Sequence, residues 1–97
     1  MKTLKLKTLE MQDDQGKPAD YAFLIKVVLK SPVQGGLDYE QMKARLTIES
    51  ELDKTEGELQ LENAEAKILL DLVNSHKWGI AHTDLVSFID DVREALK

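Results

Sequence analysis

The run Gly35-Gly36-Leu37-Asp38-Tyr39-Glu40-Gln41-Met42-Lys43-Ala44-Arg45-Leu46-Thr47-Ile48, followed by Gly57-Glu58-Leu59-Gln60-Leu61-Glu62-Asn63, decides the fold. Paired glycines mark a turn. Asp38 is a good N-cap, and Gln41 three residues on completes an Asp version of the capping box. An amphipathic helix then runs through Met42 and Leu46. Ile48 and Leu52 are out of phase with those two residues, so the segment is expected to bend near Thr47 or to form two short helices. Gly57 stops it. Glu58 to Glu62 alternates polar and apolar, which is the period of a half-buried strand.

A partner for that strand lies at the start of the chain. Lys2 to Leu9 also alternates, with Leu4 and Leu6 on one face and Thr3, Lys5 and Lys7 on the other. Its wet face is basic, whereas Glu58, Gln60 and Glu62 make the other wet face acidic. Opposite charges across strands are worth roughly 0.2–1 kcal/mol per pair. Glu10 to Lys17 is polar, carries Gly16 and reads as a loop.

Pro18 to Ser31 has features of both helix and strand. A helix places Pro18 in the first turn, gathers Tyr21, Leu24, Ile25, Val28 and Leu29 on one face, and sets Lys26 and Lys30 away from it. The helix is favoured, and Ser31-Pro32 ends it. Asn63 caps a further helix that buries Ile68, Leu69, Leu72 and Val73, and Lys77-Trp78-Gly79-Ile80 breaks it. Thr83 caps the last helix, where Leu85, Phe88, Ile89, Val92 and Leu96 fall at helical spacing. The expected fold is one α+β domain over residues 1–97, with about four helices and a small two-stranded sheet.

Composition narrows the function. The chain has 97 residues, 42% hydrophobic and 32% charged, with a net charge of −5. Such values belong to an ordinary soluble domain and argue against a general polyanion binder. There are no cysteines. That excludes disulfides, thiolate metal sites and a cysteine nucleophile. No apolar run approaches the roughly 20 residues of a membrane span, and no signal peptide is visible, so the chain is expected to be cytoplasmic.

No motif carries catalytic chemistry. His76 and His82 flank the Trp78-Gly79 turn and, with Asp84, fall short of a zinc signature. Asp13, Asp14 and Asp20 surround Gly16 without the spacing of a calcium loop. Asp90 and Asp91 are neighbours that point about 100° apart on a helix, so they are not a catalytic pair. The serines lie in no nucleophile elbow, and no phosphate loop is present. The chain is read as a non-enzyme without cofactor or metal. Trp78 is read as a plug at the end of the core, with an interface anchor as the alternative.

Residues Ser31 to Leu46 resemble the first-helix exit and second helix of a winged helix-turn-helix domain. The resemblance implies a turn at Thr47-Ile48-Glu49, a recognition helix from Ser50 to Glu56 and a wing strand from Glu58 to Glu62, and with them a DNA-binding regulator. Charge opposes that function. Residues 38–62 hold eight acidic and three basic side chains, a net of −5, and a surface of that sign repels phosphate. The chain as a whole resembles the small accessory proteins of tailed bacteriophages and prophages, which implies a protein that works by binding another protein.

The expected function is therefore a protein-interaction module, with a basic protein as partner. Its candidate contact residues are Tyr39, Met42, Glu49, Glu51, Asp53 and Glu56. A DNA-binding regulator is the second expectation. A self-assembling subunit is the third, as a homodimer with the apolar stripe of the last helix as its seam.

Overall fold

The computed structural model describes residues 1–12 and 15–97. In chain order the elements are β1 (Lys2–Lys5), β2 (Thr8–Gln12), β3 (Pro18–Asp20), α1 (Tyr21–Lys30), α2 (Tyr39–Asp53), β4 (Glu58–Leu61), α3 (Asn63–Ser75) and α4 (Thr83–Leu96). The α+β class and the four helices follow the sequence pattern.

The two alternating segments pair, but of the two lysines expected to face the acidic strand only Lys5 does so, and Lys7 goes to Asp91 of α4 instead. β1 and β4 are antiparallel, with Lys5 opposite Glu58 and Leu4 opposite Leu59. Leu4, Leu59 and Leu61 all face the core. Gly57 adopts φ +82°, a left-handed conformation open to glycine, between the end of α2 and β4. Its carbonyl accepts the Leu6 N–H at 2.8 Å, extending the ladder by one rung.

The N-terminal run is not one strand but two. After Lys5 the chain leaves β4, and Thr8–Gln12 pairs antiparallel with Pro18–Asp20 in a second two-stranded sheet. Glu10 to Gln12 therefore lie in a strand and not in the expected loop, and Pro18 lies in β3 and not in a helical turn. Asp20 becomes the N-cap of α1, its carboxylate accepting the Phe23 N–H at 2.8 Å. The α1 stripe is as expected: Tyr21, Leu24, Ile25, Val28 and Leu29 are buried.

Two further caps sit one residue earlier than expected. Glu62 precedes α3, its N–H donating to Glu65 Oε1 at 3.3 Å, and His82 precedes α4. Asn63 and Thr83 are the first helical residues. Asp38 behaves as read: its carboxylate accepts the Gln41 N–H at 2.8 Å, and its own N–H donates to Gln41 Oε1 at 3.1 Å.

α2 corrects the expected bend. It is one helix from Tyr39 to Asp53, running through Thr47 without interruption. The turn and separate recognition helix implied by the winged-helix resemblance are absent from residues 47–56. Leu85, Phe88, Val92 and Leu96 of α4 are buried in the chain's own core. Four of the five residues of the expected seam are thus covered within the chain, and Ile89 is half-buried.

Candidate functional site

The site grows out of the phase conflict in α2. At about 100° per residue, Ile48 and Leu52 lie roughly 80–180° around the helix from Tyr39, Met42 and Leu46. A straight helix sends the two sets to different sides. Ile48 and Leu52 are buried at 0% and 4% exposure, whereas Tyr39, Met42 and Leu46 are 66%, 46% and 55% exposed. Three large apolar side chains at i, i+3 and i+7 thus form an outward ridge. Lys43, Thr47, Ser50 and Glu51 complete a shallow groove with them. The Lys43 ammonium stands 5.8 Å from the centre of the Tyr39 ring, a cation–π distance.

Carboxylates beside this ridge divide into two groups. Lys26 Nζ lies 2.8 Å from Asp53 and Lys30 Nζ lies 3.2 Å from Glu49, joining α1 to α2. The hydrogen bond to Asp53 raises the Lys26 pKa. The structure therefore separates the six residues singled out in the sequence. Glu49 and Asp53 are engaged internally. Glu51 and Glu56 form no ion pair among the described residues; Glu51 lines the groove with Tyr39 and Met42, whereas Glu56 lies beyond the C-terminal end of α2 and is not brought to them. Leu46 was not among the six, although its 40° offset from Met42 places it on the same ridge.

The other candidates have structural employment. His76 ends α3, with its ring 4.4 Å from Trp78 in an edge contact. Burial lowers its pKa, favouring the neutral ring. Trp78 packs against the core and meets Phe88 edge-on at 6.2 Å. Asp20 is a helix cap, and Asp13 and Asp14 fall outside the described residues. Among the described residues no group of three His, Cys, Asp or Glu is placed to hold a metal, and no helix is long and apolar enough to cross a membrane.

Asp90 and Asp91 diverge as expected for helical neighbours. Asp91 accepts the Tyr21 hydroxyl at 2.5 Å and the Lys7 ammonium at 3.0 Å, tying α4 to α1 and to the β1–β2 link. These bonds, Tyr21 first, lower the Asp91 pKa. Burial, followed by the bond to Asp91, pushes the Tyr21 phenol well above its usual range. The signs are opposite in consequence. The Asp91 contribution is present above the ordinary carboxylate range and is lost as pH falls through its lowered pKa. The Tyr21 contribution is present below the ordinary phenol pKa and is lost as pH rises through its raised one. Tyr21→Phe keeps the ring and removes the bond. It should cost about 2 kcal/mol in urea denaturation at neutral pH and shift the acid-unfolding midpoint to higher pH. Unchanged stability would remove this tie from the fold's support.

No family model, no curated protein and no solved structure matches this chain. What the site does must come from its own chemistry: an apolar ridge, a lone lysine, uncommitted carboxylates, and no assembled catalytic group among the described residues.

Proposed function

We propose that the chain is a binding module that docks a basic protein on the outer face of α2. Tyr39, Met42 and Leu46 are the apolar anchors, and Glu51 and Glu56 are the charges that meet the partner. The observation that carries this reading is the exposed ridge itself. A helix of a small domain ordinarily spends its apolar residues on one inward stripe, and α2 keeps a second set in water. Aromatic and Met side chains are enriched where protein interfaces form.

Charge supplies the partner's sign. Residues 38–62 carry a net −5. The two α1 lysines offset part of it, and Glu51 and Glu56, two of the carboxylates without an ion pair among the described residues, are taken as its acidic margin. Such a margin mainly accelerates and orients encounter.

The test reverses Glu51 and Glu56 to Lys together. Glu49 and Asp53 are left alone, because lysines there would face Lys30 and Lys26 and disturb folding. The double variant is expected to melt like wild type and to associate about tenfold more slowly with the protein that wild type retains, with a weaker dependence on salt. An unaltered association rate and salt dependence would overturn the acidic margin as the feature that selects the partner.

A further inference from the structure

The first turn of α4 carries a joint that the binding face does not use. His82, the N-cap, accepts the Asp84 backbone N–H on Nδ1 at 3.0 Å. Asp84 Oδ2 accepts the backbone N–H groups of Glu10 at 2.9 Å and Met11 at 3.0 Å. A single carboxylate oxygen thereby holds β2 against α4. His82 Nδ1 lies 3.9 Å from that same oxygen.

The His82 cap exists only while Nδ1 keeps its lone pair. A protonated imidazole has two N–H donors and no acceptor. Of the side chains with ordinary titration behaviour, imidazole is the one that changes charge between pH 5 and 8. We propose that His82 is a proton-operated switch for the attachment of β2 to α4. A proton taken from solvent onto Nδ1 ends the bond from the Asp84 N–H. The new N–H turns to Asp84 Oδ2, the nearest acceptor of opposite charge. That oxygen then shares its capacity between the imidazolium and the two strand N–H groups, and the hold on Glu10 and Met11 weakens.

The surroundings favour this exchange over simple loss of the cap. A cation at a helix N-terminus opposes the helix dipole, so a charged His82 needs a carboxylate. Asp84 is the carboxylate within 4.0 Å of it among the described residues. Among the described residues, Glu10 of β2 meets the joint through its backbone N–H, and the Tyr21 phenol of α1, raised chiefly by burial, also feels the Asp84 charge.

Amide NMR spectra recorded from pH 8 to pH 5 test the switch. The Asp84, Glu10 and Met11 amides should shift with one midpoint, the same as that of the His82 ring protons. Protection of Glu10 and Met11 from hydrogen exchange, corrected for the intrinsic pH dependence, should fall by about tenfold on the acid side. His82→Asn retains a capping side chain but does not titrate, and should abolish the shifts. Asp84→Asn leaves His82 titrating but removes its anionic target, so Glu10 and Met11 should cease to follow it. Glu10 and Met11 amides that stay still through the His82 midpoint, or move equally in His82→Asn, would overturn the proposal.

Discussion

Phe88→Ala is expected to lose about 3–5 kcal/mol of stability in urea denaturation. Phe88 is fully buried, at 0% exposure. Its ring meets Tyr21 edge-on at 5.0 Å and Trp78 edge-on at 6.2 Å. It therefore joins α4 to α1 and to the link between α3 and α4. Truncation removes the transfer energy of the ring and leaves a cavity that three separate segments must close. A domain of this size has a total of about 5–15 kcal/mol, so the variant should melt roughly 15–30 °C lower. A loss under about 1 kcal/mol would mean that Phe88 is not a keystone of the core.

Met42→Lys combined with Leu46→Lys has the opposite profile. Both side chains stand in water, so the pair should change stability by no more than about 0.5 kcal/mol. Lysine is also a good helix former, so α2 should persist. If the outer face of α2 docks a basic protein, the double change removes two apolar anchors and adds two charges of the partner's own sign. Hot-spot residues are worth about 2 kcal/mol or more each, so affinity should fall by about a hundredfold or more. An intact fold with intact binding would move the interface elsewhere.

Legibility in the sequence followed the range of the interaction. The β1–β4 pairing was readable because alternation and opposite charge sit within the strands, and Lys5 does face Glu58. The α1 stripe was readable from its period. The β2–β3 hairpin was not, because Asp84, more than 70 residues downstream, supplies the acceptor for Glu10 and Met11. The N-caps slipped by one residue at Glu62 and His82, where neither residue is the usual Ser, Thr, Asp or Asn.

At the site, phase arithmetic was correct but its meaning was not. Ile48 and Leu52 do lie off the Met42–Leu46 line, yet the helix stays continuous and presents two faces. The charge count along 38–62 was correct as well, but it overstated the free acidity. Lys26 and Lys30, from another helix, engage Asp53 and Glu49. Pairings of that kind depend on how α1 packs on α2, which local spacing does not carry.

The central claim is that the exposed ridge of α2 is a protein-binding face. The most direct measurement is quantitative partner retention by three folded, melting-matched proteins: wild type, the Met42→Lys, Leu46→Lys double variant, and Val86→Lys. Val86 is 59% exposed on α4 and controls for replacing any exposed apolar residue with lysine. The expected result is retention by wild type and Val86→Lys, with loss in the α2 variant. Equal retention by all three, or equal loss from both variants, would contradict the claim.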